Sequence, residues 1–199
     1  SKRNCVVYNK EQFDICESLG FDRIYIIDIN LYNSLKNNYS NIYFVVPRCS
    51  FQITNNLLER NLVSDFGNYV NYNNVGNYPL NVTNIYTVYY LRKIGIKKLC
   101  LSVELTEDEI NSFVDLYTKK FGSGDFEVLV YGRIENMIIK GNILNINSND
   151  YTYYLEDFKN RSFPVYYDGR NTHIFNYETC KTNYRKIQGC SFRYDFYNE

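Results

Sequence analysis

Residues 127–142, EVLVYGRIENMIIKGN, place an arginine directly after a short β-type run and a glycine. Val128, Leu129 and Val130 favour a strand, and Gly132 permits the turn that follows. α/β proteins set their chemistry at the carboxyl ends of parallel strands, which makes Arg133 a candidate. The same logic applied to the other strand-like runs collects Asp28, Arg48, Asp65, Asn81, Asn84, Ser102, Glu104 and Asp195. The guanidinium groups of Arg48 and Arg133 match a carboxylate or phosphate bidentately. Glu104 is the best-placed general base. Glu104 and Arg133 are therefore the catalytic candidates, and Arg48, Asn81, Asn84, Ser102 and Asp195 the substrate-binding ones. The plainer alternative is that these side chains cap helices and neutralise one another around a barrel mouth.

Other chemistry has little support. His173 is the single histidine, and it lies away from the strand ends. A lone histidine is weak evidence for a ligand or base. No Ser/His/Asp set, HExxH or phosphate-binding glycine loop is present, so ordinary nucleophile chemistry is not indicated. Six cysteines, Cys5, Cys16, Cys49, Cys100, Cys180 and Cys190, form no C-x-x-C pair. Cys5 and Cys100 sit inside apolar runs, where cysteine acts as a small buried hydrophobe. No metal site is expected. A formal net charge of zero gives no whole-protein field for nucleic acid or membranes. The 22 tyrosines, with no tryptophan and abundant Asn, Ile and Lys, follow AT-rich codon usage, so they are discounted as a base-stacking platform. With no signal peptide or long apolar segment, a reducing cytoplasm is the expected setting.

The elements that must position these residues alternate. Strands are expected over residues 4–8, 23–27, 42–46, 62–64, 79–81, 98–101, 127–131 and 191–195. Helices are expected over 10–19, 28–33, 54–60, 83–94, 106–121 and, more weakly, 179–188. The helix over 106–121 is the clearest, with Thr106 as cap, acids in its first turn and lysines in its last. Strands over 143–147 and 151–155 flank a Ser-Asn-Asp turn as a hairpin, and residues 163–167 and 173–175 form a further extended pair. The fold class is α/β: a TIM-like (β/α)8 barrel that stops before its last helix, with a β-hairpin insertion (about 134–175) after strand seven. The 199 residues make one domain. The start at Ser1 suggests a fragment of a longer protein.

Several runs carry a family resemblance. LRKIGIKKLCLSVELTEDEI (91–110), followed by EVLVYGRIENMI (127–138), resembles the peptidase U32 family, also called collagenase-like peptidases. Tyr78-Pro79-Leu80-Asn81 with Asn84, Val45-Val46-Pro47-Arg48, Phe163-Pro164-Val165 with Asp168, and SFRYDF (191–196) are similar to further segments of that family. The resemblance covers nearly the whole chain. It is greatest with the C-terminal barrel-like region of long bacterial members, which carry another U32 region upstream. Some members are described as proteases; others hydroxylate RNA bases or quinone precursors without oxygen, some with prephenate as hydroxyl source. Several bind a four-iron cluster through four cysteines. Two of those cysteine positions correspond here to Glu135 and Asn142. The resemblance thus implies a cluster-free accessory barrel with no cofactor. Its implied partners are an upstream U32 region, RNA or a small carboxylate, and no membrane. The alternative it implies is a U32 peptidase, or an autonomous hydroxylase binding a small carboxylate through Arg48 or Arg133.

Overall fold

The computed structural model describes residues 2–49, 60–66, 74–148 and 150–197. Seven parallel strands pair in chain order: β1 (Arg3–Val7), β2 (Arg23–Ile26), β3 (Ile42–Val45), β4 (Asn61–Val63), β5 (Asn74–Gly76), β6 (Lys98–Cys100) and β7 (Asp125–Gly132). The chain then leaves the barrel for a four-stranded antiparallel sheet. Its strands are β8 (Glu135–Lys140), β9 (Tyr153–Glu156), β10 (Ser162–Tyr167) and β11 (Asn171–Phe175), in the order β8-β11-β10-β9. The return passes through β12 (Cys180–Lys181), antiparallel to β7, and a 3-10 turn at Tyr184–Lys186. β13 (Ser191–Asp195) then pairs in parallel with both β7 and β1 and closes an eight-stranded barrel. The α/β barrel class expected from the sequence is the one observed.

Alternation along the strands divides the core into layers. Val6, Tyr25, Tyr43, Leu62 and Val75 come from five neighbouring strands and pack together inside the barrel. The intervening residues Cys5, Val7, Ile24, Ile26 and Ile42 pack outward with Phe13 and Cys16 of α1 (Lys10–Ser18) and Tyr32 and Leu35 of α2 (Ile29–Leu35). On the other side, α3 (Ile85–Lys93) and α4 (Glu107–Phe121) cover β6 and β7 with Ile85, Val88, Leu91, Ile110, Phe113 and Tyr117. Caps set the helix starts. Asn9, Asp28 and Asn84 each accept a backbone N–H of the first turn, and Thr106 with Glu109 forms a reciprocal capping box. No described helix is long and apolar enough to cross a membrane.

Three expectations are corrected. The fifth strand is Asn74–Gly76, and Tyr78–Leu80 is a 3-10 turn ending at a left-handed Asn81. Pro79 lacks the N–H a ladder needs and fits the turn instead. The hairpin over 143–147 and 151–155 does not form. The segment from 141 to 147 is a loop in which Asn142 bonds both backbone groups of Ile146, while β9 pairs with β10. The insertion is therefore a full sheet, built around the β10–β11 pairing that the sequence did suggest. The weak helix over 179–188 is replaced by β12 and the 3-10 turn. Most of the helix expected over 54–60 lies outside the described residues. Among the described residues no helix follows β13.

Candidate functional site

The barrel interior holds a buried ion network. Glu127 on β7 has no exposed surface and Arg193 on β13 is 1% exposed. Arg193 Nε donates to Glu127 Oε2 at 2.7 Å and its Nη2 reaches the same oxygen. Arg23 Nη1, from β2, donates to Oε1 at 2.7 Å, and Tyr25 Oη donates there too. Burial alone would raise the Glu127 carboxyl, but Arg193 and Arg23 outweigh it and hold it below its ordinary value. The Arg193 guanidinium also lies over the Tyr25 ring, 4.5 Å from its centroid, and its Nη1 donates to Asn77. This network fills the centre of the barrel and points toward its carboxyl end through Asn77, whose Nδ2 donates to Ser64 Oγ at 3.0 Å.

At that end Glu135 opens β8, three residues after β7 finishes. Its backbone N–H donates to Tyr78 Oη at 3.1 Å. One carboxylate oxygen accepts from Arg48 Nη1, and the other lies 2.6 Å from His173 Nδ1. His173 Nε2 lies 3.0 Å from Asp168 Oδ2. Asp168 is fixed by the turn between β10 and β11, where it accepts the backbone N–H groups of Arg170 and Asn171, each at 2.7 Å. The result is an alternating chain of charge: Arg48, Glu135, His173, Asp168. Burial would lower the His173 imidazole, but Asp168 and Glu135 raise it to about 9. It is therefore an imidazolium at neutral pH, and both ring nitrogens donate.

Asp195 ends β13 beside this chain. Its Oδ1 accepts from Tyr8 Oη and from the Tyr197 backbone N–H, both at 3.0 Å. Burial pushes its carboxyl up to about 6. Gly132 passes close by: a Cβ there would sit 2.6 Å from Asp195 Cβ, and its φ of +139° is one that side chains avoid. Above, the insertion lays Tyr151 and Tyr166 over Tyr8, with Tyr197 packed against all three. The site can hold a proton on a carboxyl near neutrality, beside a chain of fixed and compensated charges.

The residues expected from the sequence fall into separate groups. Arg48 and Asp195 belong to the mouth just described. Asn81, Ser102 and Glu104 form a second group: Ser102 Oγ donates to Asn81 Oδ1 at 2.6 Å and accepts the Glu104 backbone N–H at 3.2 Å, and Glu104 is exposed. Asn84 caps α3, accepting from Tyr86 and Thr87. Arg133 Nη1 donates to the carbonyls of Asn176 and Tyr177 at 2.9 and 2.6 Å and ties the end of β7 to the end of the insertion. Glu135, His173, Asp168 and Tyr8 were not among the candidates. The usable signal was the conjunction of the one histidine with acids on both sides of the insertion.

The fold places the chain among (β/α)8-barrel proteins, with an antiparallel sheet inserted after the seventh strand. No family model, curated protein or solved structure matches the chain.

Proposed function

We propose that the chain is a substrate-positioning barrel of a peptidase U32-like protein, accessory to chemistry carried elsewhere in a longer polypeptide. The observation that carries the accessory part of this reading is the pairing at the mouth. Arg48 binds Glu135, His173 sits between Glu135 and Asp168, and Arg133 is spent on two carbonyls. Charges so matched order a surface and hold the insertion sheet in register. Cations spent this way offer an incoming prephenate-like carboxylate or RNA phosphate only exchange of partners.

The residues present do not fit the four-iron cluster of the resembled family. Glu135 stands at one cysteine position and is engaged by Arg48 and His173; Asn142 stands at another and bonds Ile146. Neither supplies the thiolate that such clusters need. Iron and sulfide analysis after anaerobic purification tests the reading: trace iron is expected, and a stoichiometric cluster would overturn it. Calorimetry with prephenate and with short RNA tests positioning by this chain.

One observation favours a second reading, an autonomous peptidase or hydroxylase. A carboxyl near 6, hydrogen-bonded to a tyrosine at the carboxyl end of a barrel strand, is suited to proton transfer at neutral pH. Casein or collagen cleavage that disappears in Asp195→Asn would favour it. Activity that survives the substitution would not belong to this site.

A further inference from the structure

The outer face of α3 carries an unusual stripe. Tyr86, Tyr89, Tyr90 and Lys93 follow the i, i+3, i+4, i+7 spacing of one helical face, opposite Ile85, Val88 and Leu91. The three tyrosines are 61%, 52% and 58% exposed. A solvated helix face is ordinarily charged, and three large rings on one short helix are not needed for the core. Two of the rings, Tyr86 and Tyr89, are held by the neighbouring helix. Lys120 Nζ donates to Tyr86 Oη at 2.9 Å and lies 4.6 Å from its ring centroid, while Tyr89 stacks on Phe121 at 5.2 Å. Between the helices lies an open cleft of about 390 Å³, lined by Tyr89, Arg92, Lys93, Tyr117 and Phe121.

Charge in the last turns of α3 and α4, where the cleft lies, is positive. α3 contains no acid, and its last turn carries Arg92 and Lys93. α4 carries Glu107, Asp108 and Glu109 in its first turn and the exposed Asp115 at mid-helix, and Lys119 and Lys120 lie in its last turn. The nearby Asp125 is paired with Arg23. Cations at helix C-termini have an ordinary role in matching the helix dipole. That role explains the lysines but not the tyrosines beside them.

We propose that the α3–α4 face docks an acidic segment of a protein partner. The groups it presents are ammonium and phenolic O–H, able to donate to carboxylates, while Arg92 already donates to Tyr117 Oη and the Ser123 carbonyl. Tyrosine and arginine are the side chains that most often anchor protein interfaces, and rings already packed against a neighbour lose little entropy on binding. A second copy of this chain would bring like charges together and is disfavoured. Single-stranded nucleic acid fits less well, because Tyr89 already has one ring face covered by Phe121 and Tyr86 has its hydroxyl taken by Lys120. The rings offer on the order of 300 Å², below the roughly 800 Å² per partner of a standard interface, so the contact is transient and salt-sensitive.

The test uses fluorescence anisotropy with the full chain and a short labelled peptide rich in Asp and Glu with leucines interspersed. Binding at low salt is expected to weaken by roughly tenfold in Tyr86→Ala/Tyr90→Ala, and as much in Lys93→Glu/Lys120→Glu. These positions are exposed, and a thermal melt confirms that each variant is folded. Absence of binding by the parent chain, or unchanged affinity in both variants, would overturn the proposal. Tighter binding of oligo(U) than of the peptide, lost in the same variants, would overturn it in favour of a nucleic-acid surface. The peptide assay does not involve the barrel mouth, so its failure leaves the accessory-barrel reading standing.

Discussion

Replacing Glu127 with Gln is expected to be the most damaging isosteric change in the barrel. The substitution preserves shape but removes the one carboxylate that Arg193, Arg23 and Tyr25 share at the centre. Arg193 is then left with Asn77 and the Tyr25 ring, neither of them an anion. Breaking a buried pair by removing one partner costs about 3–5 kcal/mol, because the remaining charge stays desolvated. Arg23 keeps Asp125, which moderates the loss toward the lower end of that range. Against a total stability of roughly 5–15 kcal/mol this is a large fraction. At about 2–4 °C per kcal/mol for a chain of this size, Tm should fall by roughly 6–20 °C. Differential scanning calorimetry at pH 7, with a urea titration as a second probe, reads the effect. A triple replacement, Arg23→Met/Glu127→Leu/Arg193→Met, should cost less than the single one, because the one charge left without its partner, Asp125, is 38% exposed and stays solvated. A Tm for Glu127→Gln within about 2 °C of the parent would refute the account of a mutually dependent buried network.

Other outcomes follow from the mouth. His173 has a folded pKa raised from 6.5 to about 9, so its contribution is fully present below pH 6.5 and is lost as pH rises through 9. A shift of that size corresponds to about 3 kcal/mol. The difference in Tm between the parent and His173→Gln should therefore shrink steadily between pH 6.5 and 9.5, and a constant difference would contradict the pairing with Glu135 and Asp168. Asp195 is displaced upward, to about 6, so the folded state favours its protonated form and stability drops as pH rises from 3.8 through 6. Asp195→Asn, which can still accept from Tyr8 and Tyr197, should raise Tm at pH 7 and lose that advantage below pH 4. Gly132→Ala should cost roughly 1–3 kcal/mol by denaturant melt, since its backbone lies where side chains are strained and the new methyl meets Asp195.

Much of the architecture was legible because the local signals agreed with the global fold. Apolar runs of strand length, alternating with capped helical patterns, are what a parallel barrel requires, and α4 carries its capping box in plain view. β5 was misplaced because Asn74, Val75 and Gly76 supply one strongly apolar side chain, whereas Tyr78 and Leu80 nearby look more strand-like. The insertion was misread because Ile143 and Ile146 suggest a strand, yet Asn142 turns that segment into a loop by bonding Ile146 at both ends. The mouth was half legible. Arg48 and Asp195 follow from the rule about strand ends. Glu135, His173 and Asp168 come together only because β8, β10 and β11 fold back as one sheet, and spacing in sequence does not encode that contact.

The pairing of β1 with β13 has a consequence for the order of assembly. Asn4 Nδ2 donates to Ser191 Oγ across 187 positions of chain, and the parallel register runs from Arg3 with Phe192 to Val6 with Asp195. Contacts of such separation form late, after the loop-closure entropy of nearly the whole chain has been met. Without β13, β1 and β7 would each present an unpaired edge on the side that strand occupies. Glu127 lies on β7, one of those edge strands, and would lack Arg193, which β13 supplies. The last strand therefore brings edge closure and the second cation in a single step. A nascent chain halted short of residue 191 would expose both edges and an under-neutralised carboxylate, a species prone to association through its free strands.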